Sequence, residues 1–177
     1  MPRWGPWCLA LCLLLPGSPV AARELAVPPE AMVEVEVVSV GLAGPGVPVV
    51  LLREPGTQAV IPIFIGSAEA EAIRRGLFGA RPRRPLTHEL LGDVLVGLEV
   101  RLERVYVDAI VDGVFLGMLE LRVGKDDPTP LRIDSRASDA IALGLQTGAS
   151  IHVSPQVLET ALPPSAPVEE PTPGIRL

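Results

Sequence analysis

The sequence predicts an α+β fold, a mostly antiparallel sheet covered by helices, and three observations carry that expectation. Runs of alternating apolar residues fall in two groups, each ending in turn residues and then a stretch of helical period. Glycine and proline punctuate the runs at hairpin spacing. The pattern also recurs at an offset of 68 residues: Ile65, Ser67, Ala72, Ile73, Gly76 and Leu77 find the same residue types at Ile133, Ser135, Ala140, Ile141, Gly144 and Leu145. Gly56 and Pro62 pair with Gly124 and Pro130 at the same offset, so the economical reading is an internal β-β-β-α duplication.

Taken in order, residues 1–22 read as a cleavable export signal. Arg3 gives the positive start, Trp7 to Leu15 is apolar but too short to span a bilayer, and Val20, Ala21 and Ala22 set up cleavage before Arg23. A lipoprotein anchored through Cys12 is the competing reading, opposed by bulky Leu11 before that cysteine. Residues 23–32 read as a linker and 33–162 as the domain. Residues 163–177, with Pro163, Pro164, Pro167, Pro171 and Pro173, read as a disordered tail. The expected localisation is exported, periplasmic or secreted, with no membrane span in the mature form. Cys8 and Cys12 both leave with the signal, so the mature chain has no disulfide and no thiol nucleophile. Taking Arg3 from the 15 basic residues, against 21 acidic ones, leaves a net charge of about −7, which opposes nonspecific attraction to nucleic acid.

Within the domain, Val33, Val35 and Val37 open the first copy, and Leu102, Val105, Val107 and Ile110 the second. Hairpins follow, from Pro48–Arg53 through Glu54–Thr57 to Ala59–Ile65, and from Val114–Val123 through Gly124–Asp127 to Leu131–Ile133. Ser67 and Ser135 are placed to cap the helices that come next, with Glu69, Glu71 and Asp139 in the opening turns where the helix dipole favours negative charge. Between the copies, Thr87 starts a helix whose Leu90, Leu91, Val94, Leu95 and Leu98 are expected to form a buried stripe. The helix from Ser138 to Thr147 ends at Gly148; a strand from Ser150 to Val153 and a short helix from Pro155 to Leu162 close the domain.

Three segments together resemble the bifunctional nuclease domain family, whose members are named for degrading both DNA and RNA. They are IPIFIGSAEAEAI at Ile61–Ile73, RPLTHELL at Arg84–Leu91, and IDSRASDAIAL at Ile133–Leu143 continued by TGASIHVS at Thr147–Ser154. Ala137 stands where the family pattern usually has proline. The resemblance spans about Val33 to Leu162 and implies nuclease-like phosphodiester hydrolysis, with DNA and RNA as partners. It brings no settled set of catalytic residues.

Candidates for that chemistry are therefore read from residue type. Glu69, Glu71, Asp134 and Asp139 could hold Mg²⁺ or Mn²⁺ through oxygen, and no organic cofactor is implied. His88, Asp134 and Asp139 are the candidate catalytic groups, His88 as general base. Arg74, Arg75, Arg81, Arg83, Arg84, Arg136 and Ser138 are the candidate substrate-binding groups, the first five concentrated within eleven residues of an otherwise acidic chain. The plainer reading of the same acids is helix capping, and of the arginines a solvated loop. His152, between Ile151 and Val153, reads as an ordinary strand residue. The alternative function is a noncatalytic, homo-oligomeric module that binds a protein or a small anionic ligand.

Overall fold

The computed structural model describes residues 23–124 and 130–160. The expected signal at 1–22, the turn residues Lys125 to Asp127, the end of the last helix and the tail at 163–177 lie outside the described residues. Seven strands form one sheet: β1 (Val33–Ala43), β2 (Val47–Arg53), β3 (Val60–Phe64), β4 (Val100–Val111), β5 (Val114–Val123), β6 (Leu131–Arg136) and β7 (Ser150–Val153). Four helices accompany them: α1 (Ser67–Phe78), α2 (Thr87–Gly97), α3 (Ala137–Thr147) and α4 (Pro155–Leu158).

The spatial order is β3-β2-β1-β7-β4-β5-β6, with every neighbouring pair antiparallel except β4 and β7. The expected α+β class and mostly antiparallel sheet are therefore observed. Three strands followed by a helix occur twice in chain order, and the short β7 joins the two groups at the centre. Asp112 and Gly113 both take positive φ, the requirement of a two-residue hairpin turn whose twist matches its strands, and β4 runs directly into β5.

One face of the sheet holds the main core, where Val50, Leu52, Ile61, Ile63, Val105 and Val107 meet Ala72 and Ile73 of α1 and Ala140, Ile141 and Leu143 of α3. Burying each of the larger side chains contributes roughly 1.5–3 kcal/mol. Helices α1 and α3 cross closely because Gly76 faces Leu145; a Cβ at Gly76 would sit 2.8 Å from the leucine Cβ. Alternation along β4 and β5 sends the intervening residues to the opposite face. There Met32, Tyr106 and Met118 form a smaller cluster with Leu25 and Val27 packed on it.

Two expectations need correction, at the helix caps and in α2. The segment 23–32, read from the sequence as a linker, lies against this second face. Its Arg23 reaches Asp108 and Asp134, and Pro29–Ala31 forms a 3-10 turn. Neither Ser67 nor Ser135 caps a helix: Gly66 and Arg136 stand at those positions, and Ser135 remains in β6 because α3 begins two residues later than the offset predicts. Helix α2 is turned over. Leu90, Leu91, Val94 and Leu98 are exposed, none of its residues is fully buried, and of its expected stripe Leu95 packs on the core. The pattern of apolar residues was periodic as expected, but periodicity cannot say which side of a helix the protein occupies.

Candidate functional site

Three helices begin at one place. Strand β6 delivers Arg136 to the start of α3, which puts Asp139 in that helix's first turn. Gly117 makes this possible, since a Cβ there would lie 2.8 Å from the Arg136 carbonyl and 2.9 Å from the Ala137 backbone. Glu69 lies in the first turn of α1, and His88 is the second residue of α2. Helix α2 is held in this position by polar residues on its inner side. Glu89 accepts from the Leu86 amide at 3.1 Å and pairs with Arg75 at 2.9 Å, while Gly92 lies against Thr147.

The side chains form a connected chain. His88 Nε2 lies 3.0 Å from Asp139 Oδ1, and Arg136 Nε donates to Asp139 Oδ2 at 2.6 Å. Arg136 Nη2 donates to Glu69 Oε1 at 2.7 Å and to Asp139 Oδ1 at 3.0 Å. Burial works against ionisation of Asp139, but hydrogen bonds from Arg136 and His88 outweigh it and hold the carboxyl below the ordinary aspartate range. The guanidinium of Arg136 is itself held charged more firmly than usual by Asp139 and Glu69. His88 and Asp139 are part-buried, whereas Arg136 is open to solvent. The positive ends of three helix dipoles point at the same region, and none of the three N-cap residues, Gly66, Leu86 and Arg136, bonds the first-turn amides through a polar side chain. Such a place favours an anion, and a histidine fixed by a carboxylate beside it can accept a proton.

The sequence-derived residues divide as follows. Glu69, His88, Arg136 and Asp139 come together. Ser138 is buried in the first turn of α3. Glu71 is engaged by Arg74 and Arg75, and Arg75 also by Glu89, so two of the five patch arginines are already neutralised. Arg81, Arg83 and Arg84 stay exposed on the loop between α1 and α2. Asp134 does not join the group: it projects from the other face of β6 and pairs with Arg23 at 2.7 Å.

The four acids therefore do not surround one point, and among the described residues no group of three or more metal-ligating side chains is arranged to hold an ion. The two carboxylates that do approach, Glu69 and Asp139, share the guanidinium of Arg136 where a cation would have to sit. This donor set does not fit Mg²⁺ or Mn²⁺ without displacement of Arg136.

Two acids that the sequence reading passed over, Asp108 and Glu120, hold the opposite face. Asp108 is fully buried and receives Arg23 Nη1 and Nη2, each at 2.6 Å, with the Ala26 amide at 2.9 Å. Glu120 is buried among Arg104, Arg132 and the Tyr106 hydroxyl. His152 sits beside Tyr106, its ring centroid 5.8 Å away, and burial lowers its basicity. Strand patterning in β4 and β5 was the available signal, although β4 is irregular at Glu103 and at Asp108: Asp108 and Glu120 fall among apolar neighbours, where an acid needs a partner. A cavity of about 640 Å³ opens between α1, α2, α3 and β4, lined by Arg75, Arg81, Glu89, Leu95 and Gln146. Its lining does not include His88 or Asp139.

Comparison with known proteins agrees with the resemblance read from the three segments. Residues 50–165 match the bifunctional nuclease domain. Two proteins of Mycobacterium tuberculosis, each named only as uncharacterized, MT1877 of strain CDC 1551 / Oshkosh and Rv1829 of strain H37Rv, are each 35% identical to this chain over 148 residues. Each alignment covers 82% of this chain and 87% of the relative. The match runs from within β2 through α4 and includes all four residues of the linked cluster, Glu69, His88, Arg136 and Asp139. The chain belongs to the bifunctional nuclease domain family.

Proposed function

We propose that this chain is an exported, sequence-tolerant nuclease whose reacting centre is the His88–Asp139 pair. The observation that carries the reading is the 3.0 Å contact between His88 Nε2 and Asp139 Oδ1 at the meeting of three helix starts. With Nε2–H donated to the carboxylate, the Nδ1 lone pair is free to take a proton from water. Water attacks phosphorus, the bond to the leaving ribose or deoxyribose oxygen breaks, and that oxygen takes up a proton. Water is the required nucleophile if one site is to cut both DNA and RNA, because DNA has no 2′-hydroxyl. Arg136 Nη1, which makes no hydrogen bond among the described residues, is available to a phosphate oxygen. Arg81, Arg83 and Arg84 hold the flanking backbone, which contributes affinity without sequence choice. Family membership supports nucleic acid as the ligand, and the sequence signal at 1–22 supports export.

The test uses the chain from Arg23 onward with labelled single- and double-stranded DNA and RNA, in chelator and in added Mg²⁺ or Mn²⁺. Cleavage that persists in chelator and falls by about 10²–10⁴ in His88→Ala is the expected result. Cleavage strictly requiring a divalent ion would replace the proton-transfer reading with one in which the ion displaces Arg136. Intact substrate under every condition would refute the nuclease reading.

The pairing of Arg74, Arg75 and Arg136 with acids favours a second reading, a noncatalytic module binding a small anion. Thermal stabilisation by nucleotides without turnover would support it.

A further inference from the structure

Helix α2 turns two of its polar residues, His88 and Glu89, to the protein together with Leu95, and its other leucines to solvent. His88, Glu89 and Gly92 face inward, while Thr87, Leu91, Val94 and Leu98 form an exposed line with Leu90 on its flank. The line is not a remnant of the core edge, since Leu90 is 54% exposed and Leu98 67%. Its spacing of four, three and four residues is that of a seam that packs against another helix, because such positions fall within a narrow stripe. No charged residue lies on the stripe.

Scaled by the exposed areas of leucine and valine, Leu86, Leu90, Leu91, Val94 and Leu98 leave about 450 Å² of contiguous apolar surface on this helix. A standard interface of about 800 Å² per partner is a little over half apolar, so this stripe supplies the apolar part of one stable contact.

We propose that α2 is the contact surface of a homodimer, packed antiparallel against α2 of a second copy across a twofold axis. A second copy is the occupant that the seam fits without further assumptions. It brings the same spacing, so each exposed leucine gains an apolar neighbour, and the antiparallel arrangement sets the two helix dipoles head to tail. The proposal rests on the geometry of α2 and does not depend on the chain cutting nucleic acid.

The chain from Arg23 onward contains no cysteine, so a single engineered thiol reports cleanly. Light scattering at micromolar concentration is expected to give twice the chain mass, falling to one chain in Leu91→Glu with the far-UV circular dichroism unchanged. Val94→Cys is expected to give a covalent dimer with a short bis-maleimide, whereas Val114→Cys, exposed on β5, is expected to stay single. A monomeric wild-type chain overturns the proposal. So does a dimer in which Val94→Cys does not cross-link, and that outcome remains decisive if Leu91→Glu fails to fold. Binding of the monomer to lipid vesicles through this face would assign it to a membrane surface and overturn the proposal as well.

Discussion

Replacing Arg23 by alanine tests whether the segment before β1 is part of the fold. Asp108 has no solvent exposure, and its two oxygens are held by Arg23 Nη1 and Nη2 at 2.6 Å. The substitution leaves that carboxylate with the Ala26 amide as its remaining donor among the described residues, and orphaning a buried charge costs about 3–5 kcal/mol. Arg23 is itself 27% exposed, so water can enter in its place and the lower end, about 3 kcal/mol, is the better figure. For a domain of this size that corresponds to a fall in Tm of roughly 9–12 °C. The measurement is a thermal melt of the chain from Arg23 onward against Arg23→Ala at neutral pH. The double variant Arg23→Ala/Asp108→Asn should recover much of the loss, because the neutral amide removes the unpaired charge. A fall below 3 °C in the single variant, or no recovery in the double, would refute the reasoning. Under the proposed export, processing before Arg23 would retain this clamp and processing one residue later would remove it.

Other expected outcomes follow from the same geometry. Gly117→Ala forces a methyl against the Arg136 carbonyl and the Ala137 backbone, which cannot move as a side chain tip can. It should cost about 1–3 kcal/mol in a denaturant titration and reduce any activity that depends on Asp139. Arg122 and Arg101 hold the Glu103 carboxyl down to about 2 from an ordinary value of 4.5. Because the folded value is the lower one, the stabilisation is present above 4.5 and is lost as pH falls toward 2. Glu103→Gln should remove this acid-range dependence, about 1 kcal/mol after solvent screening, and a pH series of melts that keeps its slope would contradict it.

The sequence made the hairpins, β7 and the start and end of α3 legible because strand alternation, Gly148 and the turn residues are local signals. Helix starts were legible as sites of negative charge, and Glu69 and Asp139 do stand in first turns. What joins them was not. Arg136 is close in sequence to Asp139 but reaches Glu69 only because α1 and α3 cross at Gly76 and Leu145, a contact between residues 69 apart. Asp134 was grouped with Asp139 by proximity along the chain. Strand alternation up to Arg136 sends it to the opposite face, where Arg23 meets it. The clamp on Asp108 joins residues 85 apart and had no local signature beyond an acid in an apolar strand.

Helix α2 links the candidate site to the proposed dimer. It carries His88 on one side and the leucine seam on the other, yet none of its own residues is fully buried. Its attachment rests on Leu95, on Glu89 with Arg75 and on His88 with Asp139, so α2 belongs with the segments that open at low free energy. A second copy packed on the seam binds the closed arrangement and not the open one, and therefore raises the fraction of chains in which His88 stands 3.0 Å from Asp139. Activity per chain is then expected to rise with protein concentration over the range in which the mass doubles. In Leu91→Glu it should stay low and flat, although that side chain touches none of the reacting groups. Activity per chain that is independent of concentration, in a protein that does dimerise through α2, would show that the helix is already held firmly by its inner face and that the seam serves association alone.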